Sequence, residues 1–182
     1  EQGNRQNIRT FRENLDHRNE AWYTNAVAAG KSVWSKIYQW EDEPILSISS
    51  SYPIYNPNNQ LIGAIGVDLN LSAIGQYLNQ INLSDTTTIF IIERNGMLVA
   101  NSGETQPFIQ NQQKVKRILA VDSQNQKISQ ITQKLLQNFE NFNQIQTPQQ
   151  FYLNLDSERE FIQITPWKTQ AGLDWLVVVS IP

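Results

Sequence analysis

Trp22 and Tyr23 in the run HRNEAWYTNAVAAG, Tyr38 in VWSKIYQW and Asp68 in LIGAIGVDLNL are the residues whose types could do chemistry together. Two or three aromatic rings offer π faces to an organic cation, and a carboxylate supplies the compensating charge. Each residue also has a plain packing role. Large rings are usually core residues, which covers Trp22 and Tyr23. Tyr38 lies between Trp34 and Trp40 in an aromatic stretch. Asp68 follows mostly apolar residues, so it either begins the cap of a following helix or is a carboxylate in a buried strand that needs a partner. Glu20 is read as facing solvent; turned inward, it would hold a second cationic end. Ser47 and Ser49 share the polar face of a strand and either line the site or face water.

Other constellations are weaker. The single His17 has no second His or Cys beside it and reads as a surface turn residue. Glu41-Asp42-Glu43 is a solvated loop, because consecutive side chains rarely converge on an ion. No nucleophile–base pair or glycine-rich phosphate loop appears, so neither catalysis, a metal nor a cofactor is expected. Gly63 and Gly66 sit inside a strand and relieve crowding there.

The elements that must position these residues belong to a folded chain. Of 182 residues 40% are hydrophobic, with five Trp, which excludes a disordered segment. A net charge of −3 argues against a nucleic-acid or anionic-membrane surface. With no Cys there are no disulfides and no thiolate chemistry. No run of about 18 apolar residues is present, so nothing here is expected to span a bilayer. The chain opens in polar residues as an excised fragment would.

Along the chain, residues 1–11 read as a turn into a short strand. Asp16 is expected to cap a helix over 19–30 that Gly30 ends. Residues 44–55 alternate as a strand, Asn56-Pro57-Asn58-Asn59 turns, and LIGAIGVDL returns as its hairpin partner. Asn70 or Ser72 caps a helix with Leu71, Ile74, Tyr77, Leu78 and Ile81 on one face. Residues 87–93 and MLVAN form a hairpin about Asn95-Gly96. Residues 111–140 read as two helical pieces broken near Asp122-Ser123, either of which caps the second piece. Strands follow at 149–155 and 159–165, and Gly172 to Trp175 turns the chain into a last, central strand ending at Ile181. The pattern is α+β, with helices on one face of an antiparallel sheet, and the length fits two such units.

Four segments in this order, DHRNEAWYTNAVAAGKSVWSKIY, LSISSSYPIYNPNNQLIGAIGVDLNLSAIGQYL, TIFIIERNGMLVANSG and TPWKTQAGLDWLVVVSIP, resemble the double Cache family of extracellular sensor domains. The closest likeness is to cyanobacterial sensors. The resemblance implies two stacked PAS-like units, a membrane-distal one over 1–80 and a membrane-proximal one over 81–182. It also implies that the family's long N-terminal helix and first distal strands are missing from this chain. In the amino-acid-sensing branch, a Tyr, an Arg and a following Trp-Tyr pair hold the ligand's carboxylate end, while a later Tyr and an Asp hold its ammonium. By resemblance Trp22, Tyr23, Tyr38 and Asp68 match. Leu15 stands at the first Tyr and Glu20 at the carboxylate-binding Arg, whereas Arg18 matches a structural Arg in the run Asp16-His17-Arg18.

An acid where a ligand carboxylate should bind costs on the order of a few kcal/mol when both are desolvated. The expected ligand is therefore an amine or amino-acid-like cation, held by Trp22, Tyr23, Tyr38, Asp68, Glu20 and Ser49. The expected setting is the periplasmic or extracellular side of a receptor anchored in the inner membrane: a histidine kinase, nucleotide cyclase or chemoreceptor. A membrane helix would follow Pro182, and a homodimer stays open. The alternative is a ligand-free structural or dimerisation module that relays signals. An enzyme ranks last.

Overall fold

The computed structural model describes residues 16–40, 43–81, 84, 86–156 and 158–182; the expected strand in 1–11, Leu15, Glu41 and Asp42 lie outside them. Asp16 caps a 3-10 turn, His17–Asn19, by accepting the Arg18 N–H. The helix α1 begins later than expected, at Ala21, and runs to Ala29. Glu20 is extended (φ −70°, ψ 147°), so the helix cannot start before it, and Gly30 ends it at φ 63°.

Four antiparallel strands follow: β1 (Val33–Trp34), β2 (Tyr38–Gln39), β3 (Leu46–Tyr55) and β4 (Leu61–Asn70). β1 and β2 pair in turn with β3, and β4 pairs with it as well. The hairpin turn is built by Asn56, whose Oδ1 accepts the N–H groups of Asn58 and Gln60. Asn59 takes φ 60° there, a conformation Asn tolerates. The register sets Ser49 opposite Asp68 and Ser51 opposite Gly66 on one face. The other face carries Ile48 with Leu69 and Tyr52 with Ile65.

The helix α2 (Leu71–Ile81) follows β4 directly, with the Asn70 side chain accepting the Ser72 N–H at 2.8 Å. Leu71, Ile74 and Leu78 are buried, but Tyr77 and Ile81 are exposed, so the apolar stripe is narrower than the expected one. Next come β5 (Thr88–Glu93), β6 (Leu98–Asn101), β7 (Phe108–Asn111), β8 (Lys114–Arg117), α3 (Gln126–Asn138), β9 (Gln149–Leu155), β10 (Glu158–Lys168) and β11 (Asp174–Ile181). Five of these form an antiparallel sheet ordered β6-β5-β11-β10-β9, with β11 central as its apolar run implies. Arg94 fastens one end of its inner strands, donating to Asp174 at 2.7 Å and to the carbonyls of Phe142 and Ile145.

Three further expectations are corrected here. The first helical piece within 111–121 is instead the β7–β8 ribbon and a 3-10 turn, because Gln112 at φ 54° reverses the chain. The cap of α3 is Asn125, whose Oδ1 accepts the Ile128 N–H at 3.2 Å, and not Asp122 or Ser123. Helices also cover both faces of the larger sheet. Ile128, Ile131 and Leu135 of α3 pack in one cluster with Phe90, Ile92, Leu98, Ile162, Leu176 and Val178. Leu71, Ile74 and Leu78 of α2 pack on the opposite side with Ile89, Ile91, Val99 and Trp175. Leu46 and Ile48 of β3 join that second cluster, so one apolar core bridges the two sheets.

Among the described residues no helix is long and apolar enough to cross a membrane. Asn125→Ala removes the α3 cap and is expected to cost about 1 kcal/mol of stability. Asp122→Ala, at an exposed position, should stay within about 0.5 kcal/mol of the parent; urea denaturation measures both.

Candidate functional site

Strand pairing alone assembles the centre of the site. Tyr38 pairs with Ser47 across β2–β3, and Ser49 pairs with Asp68 across β3–β4. The Ser49 Oγ lies 2.5 Å from Asp68 Oδ1, and the Tyr38 hydroxyl lies 2.7 Å from Ser49 Oγ and 3.2 Å from the same Oδ1. Ser49 and Tyr38 each donate to the same carboxylate oxygen, and the contact between their two hydroxyls can be donated from either side. Ser49 is itself pinned: its N–H donates to Ser35 Oγ at 3.0 Å, and its carbonyl accepts the Ser35 N–H at 2.8 Å. Sequence reading missed Ser35, whose only signal is its place in a short polar gap between two aromatic dipeptide strands.

Ser47 and Ser49 are fully buried, which excludes the water-facing alternative. Asp68 behaves differently. β4 is exposed along most of its length and Asp68 with it, so the buried-carboxylate argument made from the sequence does not hold. Its Oδ1 is committed to Ser49 and Tyr38, while Oδ2 accepts no hydrogen bond from a described residue. The Ser47 and Ser51 hydroxyls, on either side of Ser49 along the same face, are buried without a partner among the described residues.

Trp22 comes from α1 and packs closely on β4 at Gly66. A Cβ at Gly66 would stand 3.0 Å from Trp22 Cε3 and 3.3 Å from Ser51 Oγ, whereas one at Gly63 would meet nothing within 4 Å. The crowding expected at both glycines is therefore real at Gly66 alone. Tyr23 meets Trp22 edge-on, with centroids 5.7 Å apart and planes at 81°. The structure thus brings Tyr38, Ser49 and Asp68 into direct contact, sets Trp22 two residues along the same face, and attaches Tyr23 through Trp22.

Electrostatics adds Glu20. Burial pushes the Tyr38 phenol up, the Ser49 bond opposes this, and the carboxylates of Asp68 and Glu20 push upward again. Glu20 is only partly exposed and close enough for its charge to be felt at Tyr38. Arg18 is already engaged, through Nε to Asp16 Oδ1 at 2.8 Å and Nη2 to Oδ2 at 2.7 Å. The Arg18 side-chain bonds, followed by its backbone N–H, hold the Asp16 carboxyl down at about 2. His17 is exposed, as expected for a turn residue. No group of three or more His, Cys, Asp or Glu able to hold a metal occurs among the described residues.

A family model described as the Cache domain matches residues 3–182. Among solved structures, the chain is similar to the ligand-binding domain of the Pseudomonas aeruginosa PAO1 amino acid chemoreceptor PctB in complex with L-Arg. The identity is 17%, the match covers 94% of this chain and 63% of that one, and the TM-score is 0.55. For the P. aeruginosa PAO1 chemoreceptor PctC in complex with GABA the values are 19%, 96%, 66% and 0.58. A protein described as methyl-accepting chemotaxis protein X gives 21%, 95%, 57% and 0.59. This chain spans less than two thirds of the length of these structures, and at such identities the likeness is one of fold.

Two measurements test the geometry. In ultraviolet titration, the phenol missing from Tyr38→Phe should titrate above the ordinary value of about 10, and Asp68→Asn should lower it. Since the folded value is raised, its contribution to stability is whole below the unfolded value and is lost as pH rises through the folded one. Gly66→Ala should cost about 1–2 kcal/mol in urea denaturation by displacing Trp22, with Gly63→Ala near neutral.

Proposed function

The chain belongs to the Cache domain family, and from that premise we propose that it is the extracytoplasmic sensing part of a membrane-anchored receptor. The ligand in this reading is an amine or amino-acid-like cation, held near Trp22, Tyr38 and Asp68. The observation that carries it is Asp68 Oδ2, which accepts no hydrogen bond from a described residue and belongs to an exposed carboxylate whose Oδ1 is already taken by a neutral phenol and a buried serine. An ammonium can take that oxygen while the Trp22 ring, on the same face, offers its π cloud. Glu20 adds a second negative charge near Tyr38 and Arg18 is spent on Asp16, so the local field favours a cation over a carboxylate.

In this reading residues 1–80 form the membrane-distal unit that carries the ligand and residues 81–182 the membrane-proximal one. L-Arg and GABA, the molecules held by PctB and PctC, each carry a cationic end. The parent would be a chemoreceptor, histidine kinase or nucleotide cyclase, signalling by a shift between two arrangements that binding biases. This is a binding role rather than a catalytic one. One observation favours a second reading, a ligand-free structural or dimerisation module: Tyr38, Ser49 and Asp68 already satisfy one another.

Calorimetry and thermal unfolding against putrescine, cadaverine and spermidine, in parallel with the common L-amino acids, separate the two. Amine binding should stabilise the fold by about 2.7 kcal/mol at a hundred times Kd. Asp68→Asn should weaken it at least about tenfold, or roughly 1.4 kcal/mol. Glu20→Gln should weaken the diamines and spare monoamines. Tight binding of simple amino acids that Asp68→Asn leaves unchanged defeats the cation reading, and no stabilisation by either panel selects the structural one.

A further inference from the structure

Glu160 is a charged residue where the fold calls for an aliphatic one. It shares the inward face of β10 with Ile162 and Ile164, and its side chain is 2% exposed. Every polar contact it makes reaches a different element. Lys127, in the first turn of α3, binds Oε1 at 2.8 Å. Ser180, on β11, donates to Oε2 at 2.7 Å. The same Lys127 Nζ donates to the carbonyl of Thr86, just before β5, at 2.9 Å. One cluster therefore joins the segment between α2 and β5, the start of α3, the inner strand β10 and the last strand.

We propose that Lys127, Glu160 and Ser180 form a latch that makes this corner of the larger sheet open and close as one unit. A buried ion pair is a poor way to gain stability, because desolvating two charges offsets most of their attraction, and apolar residues of similar size often serve as well. What it provides instead is discreteness: removing one partner strands the other charge in the core. The corner is where the chain enters the larger sheet, at Thr88, and where it leaves, since Thr88 lies directly across from Ser180. Strand pairing alone joins entry, exit and β10; the latch adds α3 and the segment at Thr86 to them. α2, which leads into this entry, begins at Leu71, three residues after Asp68. A shift of α2 thus meets the last strand through bonds that are either made or broken. The latch stands on the contacts at this corner and holds whether or not a ligand binds near Asp68.

Hydrogen exchange followed by mass spectrometry on the 182-residue chain, with no ligand, tests it. In Lys127→Met, exchange should rise by at least roughly tenfold in residues 86–90, 126–129 and 176–181 together, while residues 46–70 keep their protection. A rise confined to the first turn of α3, or one spread evenly through 46–70 as well, overturns the proposal. If Lys127→Met does not fold, Ser180→Ala decides, since it cuts only the bond to the last strand. Faster exchange at 126–129, to which Ser180 is tied by polar contacts through Glu160 and Lys127, supports the latch. A change limited to 176–181 removes it.

Discussion

The first half of β3 is buried on both faces, and the rest of the molecule is arranged around that constraint. Leu46 and Ile48 point into the core that α2 shares with the larger sheet, while Ser47, Ser49 and Ser51 point towards α1. A strand in this position has no freedom of register. Slipping by one residue would bury serines in the apolar core and turn Leu46 and Ile48 into the site. The polar face is short, and its centre is satisfied: Ser49 is held through its backbone and side chain by Ser35, Tyr38 and Asp68. The small side chains also let α1 approach closely, and Gly66 does the same for Trp22 on the neighbouring strand.

Much of this was legible in the sequence, and the failures have physical causes. The β3–β4 hairpin, the Asn-rich turn and the central place of β11 followed from alternation, turn chemistry and an unbroken apolar run. These signals are local, and the structure keeps them. The β7–β8 ribbon was misread as helix because its Gln- and Lys-rich sequence has little apolar periodicity, and the decisive feature is a single left-handed Gln112. The start of α1 was misplaced because Asp16 is a good cap in either setting, and a 3-10 turn uses it first. Which face of α2 is buried depends on the larger sheet beneath it, and Tyr77 has the right spacing for a contact that this sheet does not make.

The site shows the same division between residue choice and geometry. Tyr38, Ser49 and Asp68 were picked by type, and strand register brings them together. Asp68 lies on an exposed strand, β4, so burial is not what a sequence can use to single it out. Asp68 has its partners because Ser49 is opposite it and not because burial demanded them. Ser35 and Gly66 escaped notice as functional residues because their roles are to hold a backbone and to leave a space. Neither role has a side-chain signature in a single sequence.

Burial also separates the two acidic clusters by what each can do. Asp68 keeps one oxygen open at an exposed edge, so a cation from outside can reach it without breaking an existing bond. Glu160 has both oxygens engaged and almost no exposure, so nothing from outside can compete for it without opening the fold. The first arrangement suits recognition, because the cost of desolvation is met only when a partner arrives. The second suits transmission, because its contacts are exchanged only when the elements they join move apart. α2 lies between them, entering three residues after Asp68 and leading to the segment that Lys127 grips at Thr86. In the proposed reading, binding at one end and response at the other would call for an open acid, a closed one and a packed element between. In this molecule the register of one hairpin and the packing of one helix supply that order.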